Sequence, residues 1–337
     1  LDSNSQNFIH HLRLALTLAH LSLVSIGMIN LLVIILIVIK PYMRSITNVY
    51  MVGLCSADFI YLINLTLVAA AQLNNRSWVF GSTVCTLYHG TESTGKYASV
   101  MFVVLLAADR YCAMCRTDFC PRYRNYYTAF VASLCAWIIA FCGAAPLYIY
   151  SEVVVIHMQI GKMHRLCIAK WPSSSSAIWY IAFSSIIIFI LPLFFIMFFY
   201  YHILKKLREA VISSKRMQRH SSSRAPYHRV TRLVLWIVVF HVICWSPFWL
   251  FNTVSSIFQL RIQTQFMRII VNIIHLFPYV NCALNPILYA TNAENFRRAF
   301  RSLFAQKLHW KSGQARPQLN HMREQKMLFF SSFVLRA

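Results

Sequence analysis

The chain has 337 residues, of which 58% are hydrophobic and only 12% charged, and it carries a formal net charge of +23. So little polar surface cannot cover several water-soluble domains. With Gly at 8 and Pro at 10 residues, a low-complexity or fibrous chain is excluded as well, leaving helices whose solvent is lipid.

Crossing about 30 Å of hydrocarbon takes roughly 20 residues of helix. Seven apolar runs reach that length, at 14–39, 47–71, 85–112, 126–149, 177–204, 229–257 and 267–291. Strands of a membrane barrel are about ten residues long and alternate in polarity. These runs are longer and apolar all round, so they predict an all-α membrane protein, a seven-transmembrane helix bundle. The first run is also too long for a signal h-region, so no cleavable signal peptide is expected. A short amphipathic helix is predicted at 293–304, after the last span. Phe296, Ala299, Phe300, Leu303 and Phe304 share one face of it, and Arg297, Arg298 and Arg301 are set to meet lipid phosphates. The expected organisation is a membrane domain over 1–304 followed by a cytoplasmic tail over 305–337.

Cytoplasmic loops collect Lys and Arg. With the amino terminus outside, the cytoplasmic segments hold 24 of the 32 basic residues, the extracellular segments hold 7, and Lys96 lies within a span. The outside-first orientation is therefore expected. The charge is concentrated in 205–232 and from Arg297 onward. Nucleic acid, the usual rival partner for a basic chain, is not expected, because insertion itself requires this bias. The polar stretch from Lys205 to Arg229, which includes Ser221, Ser222 and Ser223, is expected to be partly mobile, as a solvated linker or as a docking and phosphorylation surface. No internal repeat is visible, which argues against an inverted-repeat transporter.

Of ten cysteines, only Cys85 and Cys167 fall on the oxidising side of this topology. Two cysteines alone in that compartment are expected to form a disulfide, tying the outer end of the third span to the loop before the fifth. Asn75-Arg76-Ser77, in the first extracellular loop, is a glycosylation acceptor. Asn64-Leu65-Thr66 has the same pattern but sits in the second span, out of a transferase's reach.

Charged side chains within hydrocarbon are costly, by at least about 2.5 kcal/mol at the bilayer centre, so each needs an account. Asp58 lies near the midplane of the second span, where Ser99, Asn281 and Asn285 are within reach from other helices. A carboxylate with neutral oxygen ligands suits a small hard cation such as sodium; the same residues also serve as a hydrogen-bonded cluster without an ion. Glu92 sits about two turns below Cys85, and Lys96 one turn deeper, in the favourable order for an i, i+4 pair. Either the two neutralise each other or they bind ligand. At that level the sixth and seventh spans add Trp245, Phe248, Trp249, Asn252, Phe277 and Tyr279, and a carboxylate, an amide and a phenol converging at one depth describe a polar-anchored ligand site. His241, one turn below Trp245, reads as a packed side chain. Asp109-Arg110-Tyr111 ends the third span about 27 Å of rise beyond Glu92. Arg110 has Asp109 as one partner and Tyr200 or Tyr289 as the alternatives, a bistable arrangement suited to signalling.

Several motifs occur in order along the chain. They are Asn30, Leu54 through Asp58, Trp78-Val79-Phe80-Gly81 ahead of Cys85, Asp109-Arg110-Tyr111, Trp137, Pro192 with Tyr200, Cys244-Trp245-Ser246-Pro247, and Asn285-Pro286-Ile287-Leu288-Tyr289. Together they resemble the rhodopsin-like G protein-coupled receptors over nearly all of the chain from Asn30 to Phe304. Ser45-Ile46-Thr47-Asn48-Val49-Tyr50, Val230-Thr231-Arg232, Asn252 and Tyr279-Val280-Asn281 narrow the resemblance to the somatostatin, allatostatin-C and opioid group of peptide receptors. The resemblance implies a plasma-membrane receptor for a secreted neuropeptide that acts through a heterotrimeric G protein, most often of the inhibitory type. Arrestin and receptor kinase are further partners of that family. It also implies that Glu92 accepts a basic group of the peptide and that Tyr279 orients its carboxylate. The missing N–H at Pro247 leaves the sixth helix a weak point, so a rearrangement around Trp245 and Pro247 is expected to swing that helix outward.

Four positions depart from the group's pattern. Glu92 replaces an aspartate, His241 a phenylalanine, Gly95 an asparagine near the sodium site, and Ile29 a glycine. A chemosensory receptor for a small molecule is the alternative reading. A light receptor is disfavoured, because the last span has no retinal-binding lysine, and an enzyme is not expected, because no nucleophile with its base and no metal-ligand spacing is present.

Overall fold

The computed structural model describes residues 3–74, 77–116, 120, 124–157, 163–216, 225–260, 265–292, 296, 298, 299 and 301. Seven helical stretches are long and apolar enough to cross a membrane, as the run lengths predict. In lipid each backbone N–H and C=O must be satisfied internally, and helices do this segment by segment. The chain divides into a unit Leu1–Ala293 and a unit Glu294–Ala337.

In the first unit α1 spans Ser3–Ile39, α2 Ile46–Leu73, α3 Gly81–Cys115 and α4 Tyr126–Tyr150. The fifth span is α5 (Ser174–Ser184), a π-helical segment Ser185–Ile190 and α6 (Leu191–Arg216) in continuous succession. The last two spans are α7 (Ala225–Ile257) and α8 (Gln265–Asn292). Polar side chains stop the helices from starting anywhere else: the side chains of Ser45, Asn125 and Ser173 accept from the backbone N–H of Asn48, Thr128 and Ser176, the expected N-cap bond. The π-helical segment has an identifiable cause. Pro192 brings no N–H and crowds the carbonyl four residues earlier, and a widened turn just before it relieves both.

Three features differ from the sequence expectations. The stretch from Lys205 is not a loop at its ends: α6 continues to Arg216 and α7 begins at Ala225, because Lys, Leu, Arg, Glu and Ala are good helix formers that extend a span past the membrane boundary. Ser221, Ser222 and Ser223 lie outside the described residues. The helical bundle also carries an antiparallel hairpin that hydrophobicity alone does not reveal, β1 (Ser151–His157) with β2 (Met163–Ala169), in which Val153 faces Cys167. The Trp78 N–H donates to the Arg165 carbonyl at 2.7 Å and so attaches the segment before α3 to β2. Finally, Phe277 is 37% exposed on the outer face of α8. It stands two residues from inward Tyr279, about 200° around the helix, and so leaves the predicted ligand cluster.

α2, α3 and α4 pack through small residues. A Cβ at Gly95 would come within 2.9 Å of the Ala57 carbonyl and the Tyr61 nitrogen, and one at Gly53 would enter the Phe102 ring. Ala129, Ala136, Ala140 and Ala144 form the buried stripe of α4, while Tyr127, Phe130, Ile138 and Phe141 point outward. Small residues inside and large apolar ones outside is the packing expected when lipid is the solvent. Asn30 joins α1 to α8 by donating to the Cys282 carbonyl at 3.1 Å. In the second unit residues 296, 298, 299 and 301 are helical, with Phe296 and Ala299 buried and Arg298 and Arg301 exposed, the alternation predicted for 293–304.

Candidate functional site: three polar levels on one helix

α3 carries charged or polar side chains at three depths beyond the disulfide at its first end. At its first end Cys85 and Cys167 form the predicted disulfide, with Cα atoms 5.5 Å apart. It ties α3 to β2, and the His89 ring nitrogen lies 3.4 Å from the Cys167 carbonyl. His89 and the two sulfurs are close enough to resemble a metal cluster, but disulfide sulfurs have no thiolate to offer. A hollow beside the bridge is lined by Val68, Gln72, Trp78, Tyr88, Arg165 and Leu166.

Two turns further along α3 the Glu92 Oε1 atom is shared. The Tyr279 hydroxyl donates to it at 3.0 Å, and Lys96 Nζ stands 3.5 Å away. Tyr61 of α2 stacks on Tyr279 with centroids 4.2 Å apart and rings 2° from parallel. Lys96 Nζ lies over the Phe248 ring at 4.6 Å and the Tyr61 ring at 5.7 Å, within reach of a cation–π attraction. The structure thus brings Glu92, Lys96, Phe248 and Tyr279 together. Trp249 points toward the fifth span, stacking with Phe189 at 6.3 Å. Asn252 turns back on its own helix, donating to the Phe248 carbonyl at 2.7 Å, so its amide makes no bond with the Glu92 carboxylate. Tyr61 and His275, whose ring is 5.1 Å from Phe248, were not anticipated. Their signal was available in the aromatic or imidazole side chain one turn from an inward residue, Tyr61 after Asp58 and His275 before Tyr279.

At mid-depth Asp58 is fully buried. The Ser99 hydroxyl donates to its Oδ1 at 2.6 Å and the Asn285 amide to its Oδ2 at 2.9 Å. Asn281 stands one step back: its Oδ1 accepts from Trp245 Nε1 at 3.3 Å and from Asn285 at 3.5 Å. Trp245 is fully buried against Tyr61, His241 and Phe248, so it links this level to the one above. The donor chemistry fits a small hard cation. A carboxylate and a hydroxyl are joined by the Asn285 Oδ1 acceptor, which is buried without a hydrogen-bond partner among the described residues, and carboxylate, hydroxyl and amide oxygens are the ligands such ions prefer. Where the family pattern has an asparagine, Gly95 lets the α2 backbone approach, so that position supplies no side-chain ligand.

At the far end Asp109 is saturated. Its Oδ2 accepts from the Thr47 hydroxyl at 2.7 Å and lies 3.3 Å from Arg110. Its Oδ1 accepts from Arg124 Nε at 2.8 Å. The Arg110 guanidinium also donates to the Thr47 hydroxyl. Arg124, just before α4, was not anticipated, and the Asp109 carboxylate raises its guanidinium above the ordinary value. Tyr111 turns the other way, packing on Phe198, Phe199 and His202 of α6. The Tyr200 hydroxyl is buried without a hydrogen-bond partner among the described residues. Pro286 lies inside α8, which continues through it to Asn292; the side chain of Tyr289, and Asn75 altogether, lie outside the described residues.

Comparison with known proteins agrees with this layout. Residues 29–289 match the model of the 7 transmembrane receptor (rhodopsin family). The somatostatin receptor type 2 of Mus musculus is 28% identical over 275 residues, covering 81% of this chain and 72% of that protein. The somatostatin receptor type 5 of Rattus norvegicus is 28% identical over 274 residues, covering 81% and 73%. The C-C chemokine receptor type 1 of Homo sapiens is 26% identical over 286 residues, covering 83% and 76%. With seven spans, a disulfide from α3 to the hairpin and Asp109-Arg110-Tyr111 at the far end of α3, the chain belongs to the rhodopsin family of seven-transmembrane G protein-coupled receptors.

Proposed function

We propose that the chain is a plasma-membrane receptor for a secreted peptide of somatostatin or allatostatin-C type, with its amino terminus outside and an inhibitory-type G protein as its cytoplasmic partner. The observation that carries this reading is the layout of α3, on which a carboxylate shared by Tyr279 and Lys96, Glu92, and a locked guanidinium, Arg110, belong to one rigid rod about 27 Å apart in rise. Similarity to somatostatin receptors supports the peptide class.

A basic group of the peptide meets Glu92, whose carboxylate Tyr279 orients, while Phe248, Trp249 and Asn252 border the cavity. Repacking around Trp245 bends α7 at Pro247, where the missing N–H weakens the helix. Arg110 then leaves Asp109 for the Tyr200 hydroxyl, which has no hydrogen-bond partner among the described residues, and the vacated space admits the G protein. A sodium ion held by Asp58, Ser99 and the amide oxygen of Asn285, with Asn281 one step back, would add positive charge at mid-depth and favour the closed packing. Receptor kinase and arrestin would follow on the basic cytoplasmic segments.

The test is nucleotide exchange on inhibitory G protein by membranes bearing the chain, challenged with a library of secreted peptides. A peptide response that Glu92→Gln weakens by tenfold or more supports the reading, and one that Glu92→Gln leaves unchanged refutes the anchor. Asp58→Asn is expected to remove the sodium dependence of peptide affinity; retention of that dependence would place the ion elsewhere.

A further inference from the structure

The Glu92–Lys96 pair is not closed on itself. Their 3.5 Å separation exceeds the roughly 2.8 Å of a charge-assisted hydrogen bond, and the oxygen nearest Lys96 already accepts the Tyr279 hydroxyl. An ammonium has three donors, yet Lys96 makes no hydrogen bond among the described residues, and its other close neighbours are the Phe248 and Tyr61 ring faces. Both charged side chains keep some exposure, 14% for Glu92 and 10% for Lys96. Neither side chain is fully enclosed by its neighbours.

Two more polar groups flank the same Phe248 ring. His275 lies 5.1 Å from it and leaves Nε2 buried without a partner among the described residues. Trp249 lies 5.4 Å from it, and its indole N–H is likewise buried and unpaired. An ammonium with unused donors against the Phe248 ring, and an imidazole nitrogen without a partner among the described residues beside that ring, call for a ligand group rich in acceptors.

We infer that the ligand brings a carboxylate to this level, received by Lys96 Nζ with His275 Nε2 beside it and the adjoining hydrocarbon against Phe248. The inference rests on the receptor reading above and adds the chemistry of the ligand. A ligand carrying only a cation to Glu92 would displace Lys96 and strand an ammonium in a poorly hydrated site, which is strongly unfavourable. A ligand with a carboxylate and an ammonium within one residue's reach keeps every charge matched.

The experiment melts the purified full chain in lipid nanodiscs with millimolar hydrocinnamate, its neutral isostere hydrocinnamamide, or phenylpropylammonium. Hydrocinnamate is expected to raise the melting temperature by about 2 °C or more, the shift for a probe held at several times its Kd, and the amide by less than half as much. Lys96→Met should abolish the carboxylate's shift, His275→Phe should reduce it, and Glu92→Gln, which frees Lys96, should enlarge it. Equal shifts from acid and amide, no shift from the acid, or a shift that survives Lys96→Met overturns the inference. The wild-type comparison of acid with amide decides the matter even where a variant fails to fold. Because melting needs no G protein, a carboxylate that fails to discriminate leaves the coupling reading intact, and missing nucleotide exchange leaves the carboxylate site intact.

Discussion

Both ends of α3 hold a carboxylate beside cationic side chains, but one is left open and the other is closed. Glu92 shares a single oxygen between a phenol and a distant ammonium, and His275 and Trp249, beside the adjoining Phe248 ring, each keep a buried nitrogen without a partner among the described residues. Asp109 uses both oxygens on Thr47, Arg110 and Arg124. A buried polar network left partly unsatisfied costs energy that a partner can recover, whereas a saturated one resists change until something competes for its members. The first arrangement suits a place where a ligand arrives, and the second a latch that the ligand's effect must undo.

The largest test of this contrast is at the latch. Arg110→Ala should lower agonist-stimulated nucleotide exchange by about a hundredfold, the factor for losing about 3 kcal/mol of a buried charge interaction, with surface expression retained. Normal exchange by that variant would mean the latch is only structural. At the open end, Glu92→Gln or Lys96→Met alone strands its partner and should cost about 3 kcal/mol of stability. The double variant should recover part of that loss, with a coupling of about 1–3 kcal/mol in thermal melts. Strict additivity would show that the two charges do not feel each other.

A smaller effect is expected between the two ends. Gly95→Asn restores the side chain typical of the family, but its Cβ meets the α2 backbone at 2.9 Å. The overpacking should cost about 2 kcal/mol and show as a lower melting temperature; a neutral result would mean that α2 can retreat. Arg124→Gln has the least effect, because the Arg124 side chain is 34% exposed and such a pair is worth less than about 1 kcal/mol. Losing Arg124 leaves Asp109 to hold Arg110 more firmly, so basal exchange should fall by less than about fivefold. A rise would show that Arg124 fastens the latch instead of diluting it.

The sequence revealed whatever one helix decides by itself. Run length gave the spans, the i, i+4 spacing gave Glu92 with Lys96, and a compartment argument gave Cys85 with Cys167. It also brought Ser99 and Asn285 to Asp58, because all three are polar groups at one depth with few alternatives. What it missed depends on rotation between helices. Phe277 was placed with Tyr279 by depth although the helical period turns it outward. Asn252 shares that depth but spends its amide on the Phe248 carbonyl. Tyr61, His275 and Arg124 became visible only when α2, α8 and the segment before α4 were set against α3. The hairpin and the helical extensions to Arg216 and from Ala225 escaped because hydropathy reports contact with lipid and is silent once the chain leaves it.

The backbone contact at Gly95 has a mechanical consequence. With the Ala57 carbonyl and the Tyr61 nitrogen filling the space a side chain would need, α2 and α3 cannot slide past one another without a clash, so the pair acts as a stator. Contact between α7 and either α3 or α6 is much sparser among the described residues, while α7 packs closely on α8, so under the proposed function α7 is the rotor. A covalent tether between α2 and α3 should therefore leave agonist-stimulated nucleotide exchange untouched, while one between α3 and α7 should stop it.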